Sequence, residues 1–390
     1  MKFDKLRDYL ESLADTYGLP GCDCIAMQNH QVIFRHMQGT SDHAKTKPLT
    51  GNELFDVYSA TKVVTMTAVM QLVEQGKLGL DQEVSDFIPE FADTPVLDFY
   101  DMSAFPYPKP DFTAPTHKRQ NPILVRHLMT MTAGLSYDLD NHILTPLIKA
   151  NADTQTIARA IARMPLLFEP GQRYRYSLGH DVMAAIVEIV SGEKFEAYLQ
   201  NNIFKPLGLT DMYMHPGPEQ LPRMMEKFQF QVATREITPF PLENIFRMGN
   251  CYDSGGAGLA CSVADYALFI DALACGGQGR SGARILKPES IAQMATPQLN
   301  AQQEIDFGRG KLGYSYGLGV RTLVYPEKSR SPVGEFGWDG AAGAFVMVDP
   351  ANQVSLFFAP EIMSMREIYF DVHPVIRDIF YECMLEDTTA

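Results

Sequence analysis

The sequence predicts a mixed α/β protein in which a mostly helical region interrupts a strand-bearing layer. Three observations carry this. Apolar residues at 24–27 and 32–37 flank Gln28-Asn29-His30-Gln31 and read as an antiparallel hairpin. Strand-like runs return only after about Tyr314, at 318–324, 344–348 and 354–359. Between these two regions the apolar residues recur at helical spacing. Strands at both ends with helices in the middle are what a helical insertion into an α/β layer leaves behind.

Taken in order, Phe3, Leu6, Tyr9, Leu10 and Leu13 place a helix ahead of the hairpin. Asp56-Val57-Tyr58-Ser59-Ala60-Thr61-Lys62 then reads as a short extended segment running into an amphipathic helix. Val63, Met66, Val69, Met70 and Val73 keep helical spacing there, and Gly76 stops it. Gly79-Leu80-Asp81 turns the chain into the next element. Residues 93–122 form a proline- and aromatic-rich insertion containing Phe105-Pro106-Tyr107-Pro108-Lys109-Pro110, long enough for a binding loop or lid, or for surface covering. Helices are expected at 124–131 (closed by Gly134), 154–163, 180–190, 195–203 and 263–274, the last with Ser262 as N-cap and Asp265 in its first turn. Asp349-Pro350-Ala351-Asn352 turns between the last two strands, and a final helix covers about 362–385.

A chain of 390 residues with 46% hydrophobic and 21% charged content has ample length for a core and ordinary globular composition. Its net charge of −14, with no basic patch, argues against nucleic acid or an anionic membrane as partner. The first residues carry charges and no unbroken apolar stretch of about 7–15 residues, unlike a secretory signal. No run approaches the roughly 18 apolar residues of a membrane span. The six cysteines lack metal or Cys-x-x-Cys spacing and are expected as buried free thiols in a reducing cytoplasm. A cytoplasmic location follows as the expectation. No cofactor or metal is called for, and nothing specifies an oligomeric state.

Ser59-x-x-Lys62 puts a hydroxyl near a helix start and an amine one turn further on the same face. The positive end of the helix dipole acts on that hydroxyl. This is the layout of a serine nucleophile paired with lysine. Ser191-Gly192-Glu193-Lys194 matches the same pattern, but it follows a helix and reads as a solvated turn. Gly277-Gln278-Gly279-Arg280-Ser281-Gly282 matches a dinucleotide fingerprint but follows a helix where a strand is required. Gly313-Tyr314-Ser315-Tyr316-Gly317 matches a nucleophile elbow but runs on into a strand rather than a helix. His127 reads as a satisfied structural residue.

Two further stretches bear on the serine. Pro170-Gly171 turns the chain into Tyr174 and Tyr176 just before a helix, so one phenol can project onto another element, although both can equally be packing residues. Phe336-Gly337-Trp338-Asp339-Gly340-Ala341-Ala342-Gly343 is a glycine-rich lead into a strand, where close approach of a ligand or backbone is common. The chain's only tryptophan stands in it.

In this order, Ser59-x-x-Lys62, Tyr176-Ser177-Leu178 and Trp338-Asp339-Gly340 resemble the penicillin-recognising serine hydrolases. The resemblance is to their class C β-lactamase and D-alanyl-D-alanine peptidase branch, with its family VIII carboxylesterases. Residues 125–135, 202–209, 255–259 and Tyr316-Gly317-Leu318-Gly319 are similar to other segments of that family, so the likeness spans most of the chain. It implies an antiparallel sheet flanked by N- and C-terminal helices (residues 1–85 and 285–390), a mostly helical half (86–284), and a site in the cleft between them. It implies Ser59 as the acylated nucleophile, with Lys62 and Tyr176 exchanging protons with it and with the leaving group. The N–H groups of Ser59 and Ala341 would form the oxyanion hole. Free lysine and tyrosine both titrate near about 10, so bringing either down by about 3 units takes roughly 4 kcal/mol of differential stabilisation.

Two departures bear on the substrate. Leu178 stands where many relatives carry asparagine, and Trp338-Asp339-Gly340 replaces Lys-Thr-Gly, removing a cation that would meet a substrate carboxylate. Asp339 is expected to disfavour anionic β-lactams if it faces the cleft. These forms resemble the esterase members. The expected activity is therefore an esterase or acyl transferase on neutral or apolar acyl esters, with at most feeble β-lactamase activity. A D-amino-acid peptidase or amidase, with Asp339 receiving an amine, is the alternative, and a catalytically silent binding homologue the other. Trp338, Asp339, Gly340, Tyr137, Tyr252 and the 93–122 insertion are expected to wall the substrate site.

Overall fold

In the computed structural model of the protein, which describes residues 2–104, 106–241, 243–247 and 249–386, Phe105 of the expected insertion lies outside the described residues. Helix α1 (Asp4–Tyr17) buries Leu6, Leu10 and Leu13 on one face and ends at Gly18 in left-handed backbone. The hairpin follows as β1 (Gly21–Gln28) and β2 (Gln31–Gly39). Its two turn residues, Asn29 and His30, both have positive φ, the tight turn that matches strand twist. Further along come α2 (Thr61–Glu74), α3 (Gly179–Ser191) and α4 (Val263–Ala274). The C-terminal part makes β3 (Tyr314–Tyr316), β4 (Arg321–Leu323), β5 (Phe336–Gly337), β6 (Phe345–Asp349), β7 (Val354–Ala359) and α5 (His373–Glu386).

These strands form one antiparallel sheet in the order β3-β4-β5-β6-β7-β1-β2. The last strand pairs with the first, Asp23 opposite Ala359 and Gln28 opposite Val354, so the two ends of the chain close one layer. All six residues of β7 are buried, which explains why five of them are apolar. Helices cover both faces. Phe3 packs on Phe34 of β2 and stacks on Phe380 of α5 (5.5 and 5.7 Å between ring centres), while Tyr266 of α4 stacks on Phe357 of β7 at 4.3 Å.

Helix α4 therefore packs on the sheet, although the expected boundary at 284 puts it in the helical half. Helix α2 also differs from expectation. It is buried on every side from Thr61 to Leu72, because α3 and the helices Phe195–Leu199 and Pro288–Ala295 pack around it. The last helix begins later than expected. Positive φ at Glu361 and Ser364 breaks any helix there, and Ile362–Met363 instead pairs as a short strand with Phe228–Gln231.

Helices Pro288–Ala295 and Ala301–Phe307 were not expected, although Asn300 and Gln303 form a capping box that a sequence can show. Cys22, Cys24, Cys261 and Cys383 are buried free thiols, but Cys251 is exposed and Cys275 half-buried. Among the described residues no helix is long and apolar enough to cross a membrane.

Candidate active site

A bend in the backbone puts Ser59 at the tip of α2. The strand Leu54–Asp56 pairs with Ala260–Ser262, and Tyr58 then takes a φ of 43°, rare for a bulky residue, before the chain enters the helix. Burial of the Tyr58 ring, edge-on to Phe246, holds that strained turn. Below it Asp56 is anchored by Lys227 at 2.5 Å and by Arg247.

Lys62, one turn on and fully buried, donates to Ser59 Oγ at 3.2 Å and to the Gly256 carbonyl at 2.7 Å. Asp181 of α3 presents that carbonyl. Its carboxylate accepts from Tyr252 Oη and Ser254 Oγ, both at 2.6 Å, and from Gly256 N–H at 3.4 Å. A Cβ on Gly256 would lie 2.5 Å from the Asp181 carboxylate, so the loop closes on it only with glycine. Asp181 was missed from the sequence, because nothing there ties it to a loop some seventy residues away. Tyr252, expected as a wall of the substrate site, is instead buried under this loop and does not line the cavity.

The loop before α3 brings Tyr176 over Lys62, whose Nζ is 4.6 Å from the ring centre. The Tyr176 hydroxyl accepts from Trp338 Nε1 at 3.1 Å, and among the described residues it bonds neither Ser59 nor Lys62. Tyr137, also expected as a wall, stands behind Tyr176. Its ring stacks on Tyr176 at 5.2 Å, with Lys62 Nζ 5.5 Å from its centre. Burial pushes the Tyr137 phenol well above its ordinary pKa, Tyr176 and Asp181 push the same way, and a hydrogen bond with Ser59 offsets only part of this. Leu178 is fully buried and does not line the cavity beside Ser59.

Ser59, Tyr176, Trp338, Asp339, Gly340 and Ala341 share a cavity of about 520 Å³. Gly340 lies so close to the nucleophile segment that a Cβ would be 2.3 Å from the Val57 carbonyl. Tyr369 Oη, which also lines the cavity, shares its proton between the Gly340 and Ala341 carbonyls at 2.9 and 2.8 Å and so fixes the turn. Asp339 is not a free acid. Burial pushes its carboxyl up, but Arg321 and Arg309, bonded at 2.7 and 2.5 Å, outweigh that and hold it at about 2. The expected repulsion of anions by Asp339, and its expected reception of an amine, are both overturned by these guanidiniums.

His373 Nδ1 lies 3.7 Å from the same Asp339 carboxylate. Its Nε2 lies 3.0 Å from the Gly343 carbonyl, its ring stacks on Phe345, and burial pulls its imidazole down to about 4 despite Asp339 nearby. A histidine held neutral in the folded state costs stability wherever the unfolded chain binds the proton it refuses. His373 is therefore expected to contribute fully above about pH 6.5 and to withdraw about 3 kcal/mol between about pH 6.5 and pH 4. Urea midpoints of wild type and His373→Gln across that range test this. Parallel curves would refute it.

His127 is structural, as expected. Its Nδ1 accepts from Leu124 N–H at 3.2 Å, and burial pulls the ring down to about 4. The second Ser-x-x-Lys ends α3, with Gly192 in left-handed backbone and Lys194 reaching Asp153 at 3.2 Å. Ser315 lies on β3, not on an elbow. Among the described residues one cluster, His30, Asp271 and Cys275, brings metal-binding atom types within 4.8 Å of one another. It lies at the β1–β2 turn, and His30 Nδ1 is already 2.7 Å from Asp271.

The Beta-lactamase family model matches residues 6–364. Esterase EstB of Burkholderia gladioli is 27% identical over 365 residues, covering 87% of this chain and 85% of that one. Acyltransferase calJ of Penicillium decumbens is 29% identical over 339 residues, covering 80% and 77%. Among solved structures, EstCE1, described as a hydrolase with promiscuous acyltransferase activity, superposes with a TM-score of 0.77 at 25% identity, covering 97% of this chain and 98% of that one.

Proposed function

We propose that this chain, which belongs to the beta-lactamase family, is a serine carboxylesterase or acyl transferase that works through an acyl-enzyme on Ser59. The observation that carries the proposal is the 3.2 Å contact between Lys62 Nζ and Ser59 Oγ at the edge of an aromatic-lined cavity. Ser59 Oγ attacks the ester carbonyl and loses its proton towards Lys62. The N–H groups of Ser59 and Ala341 receive the oxyanion. The C–O bond to the alcohol breaks, and the alcohol leaves with a proton relayed through Lys62 and Tyr176. Water, or a second alcohol in acyl transfer, then attacks the acyl-enzyme and restores the serine.

The walls Tyr174, Tyr176, Phe307 and Trp338 suit an apolar acyl group. With the Lys-Thr-Gly lysine replaced by Trp338, β-lactamase activity is expected to be feeble. The peptidase alternative relied on Asp339 meeting an amine, and that carboxylate is already held by two guanidiniums.

Intact-protein mass spectrometry after treatment with a fluorophosphonate probe tests the nucleophile. A single adduct on Ser59, absent in Ser59→Ala, together with faster turnover of p-nitrophenyl butyrate than of a D-alanyl amide, is the expected result. No adduct on folded protein would leave a binding homologue, and faster amide turnover would make the enzyme an amidase.

A further inference from the structure

Arginine outnumbers free acid in the cavity, and the excess has an address. The two acids that line it are both engaged: Asp306 takes two bonds from Arg173 at 2.6 and 2.7 Å, and Asp339 is shared by Arg309 and Arg321. Arg175 lines the same cavity, and its side-chain partners are phenols rather than acids. Its guanidinium carbon lies 3.5 Å from the centre of the Tyr107 ring, and it also meets the Tyr100 hydroxyl. Among the described residues no carboxylate comes within 4.0 Å of it, and its Nε is buried without a hydrogen-bond partner. The ring beneath it belongs to the 93–122 insertion, which thereby holds a cation at the cavity wall.

We propose that the physiological substrate is an ester that also carries a free carboxylate, and that Arg175 receives this group. The proposal rests on the esterase reading above. A planar guanidinium offers a two-pronged, charge-assisted contact that matches a carboxylate. The net charge of −14 repels anions at long range, but screening cuts that field off beyond about 8 Å, whereas the Arg175 contact acts inside the cavity. A cavity of about 520 Å³ is about 10 Å across as a sphere, so the carboxylate lies only a few bonds from the ester carbonyl. It takes no part in the bond exchange at Ser59. The apolar part of the acyl group keeps the aromatic walls, and the carboxylate sets which ester is chosen.

Two matched pairs of esters test this. In p-nitrophenyl hydrogen glutarate against p-nitrophenyl valerate the carboxylate is on the acyl side. In 4-(butyryloxy)benzoate against its methyl ester it is on the alcohol side. The ratio of kcat/KM for the charged to the neutral ester is expected to fall roughly ten- to hundred-fold in Arg175→Ala for one of the pairs, and to recover in part in Arg175→Lys. Ratios unchanged in both pairs would overturn the proposal. A second readout is independent of turnover, since Trp338 is the only tryptophan and lines the cavity. Glutarate is expected to change its fluorescence saturably, with Kd at least ten-fold weaker in Arg175→Ala at an unchanged urea midpoint. Equal titrations of the two proteins would again overturn it. Arg175-dependent glutarate binding with no turnover of any ester would instead defeat the esterase reading and leave the carboxylate site standing.

Discussion

Replacing Lys62 with methionine is expected to lower kcat for p-nitrophenyl butyrate by about 1,000-fold or more while leaving the protein folded. The rate loss corresponds to about 4 kcal/mol of barrier, the scale expected when a nucleophile loses the group that activates it. Lys62 is fully buried, and among the described residues no carboxylate lies within 4.0 Å of its Nζ. Its partners are the Ser59 hydroxyl, the Gly256 carbonyl and two aromatic rings. Methionine fills similar space and leaves the Gly256 carbonyl without a donor, which costs about 1–3 kcal/mol. Removing a buried amine that has no carboxylate beside it returns an amount of that order. Stability is thus expected to stay within about 2 kcal/mol of wild type while activity collapses. Kinetics and urea denaturation on one preparation check both halves, and a drop in kcat of less than ten-fold would remove Lys62 from the chemistry.

The contact between Ser59 and Lys62 was legible in the sequence because helical spacing puts them on one face, and the 3-10 turn Tyr58–Ala60 runs into α2 with that spacing kept. The sheet was legible at the hairpin and at β6 and β7, where the apolar runs are long and the turns carry Asn or Asp. What stayed hidden depends on tertiary partners. Nothing about tyrosine announces positive φ, yet Tyr58 makes the bend that brings the serine to the cavity wall. An aromatic beside a glycine run reads as a pocket wall, but Tyr252 spends its hydroxyl on Asp181 of α3. Asp339 looked like a charge in the cleft because Arg309 and Arg321, 30 and 18 residues away, approach it only in the folded sheet. The acidic total likewise concealed Arg175, whose isolation from acids is a property of the fold.

The two phenols beside Lys62 should separate under mutation. Tyr176→Phe is expected to lower kcat for p-nitrophenyl butyrate by about 100- to 1,000-fold, the usual range for a group that transfers a proton in the transition state. Tyr137→Phe should cost about ten-fold, as expected for loss of a neutral hydrogen bond. Tyr176 lines the cavity and reaches substrate, whereas Tyr137 lies behind it. Trp338 donates to the Tyr176 oxygen, so the phenol's own hydrogen remains available to Lys62 or a leaving group. Tyr137 meets Ser59, but burial holds its phenol well above the ordinary range, so it keeps its proton at neutral pH. Trp338→Phe removes the donor that orients Tyr176 and should fall between the two in effect. Single-turnover kinetics on the three variants decide the order. If Tyr137→Phe proves as damaging as Tyr176→Phe, the proton passes through the inner phenol and the outer one merely shapes the wall.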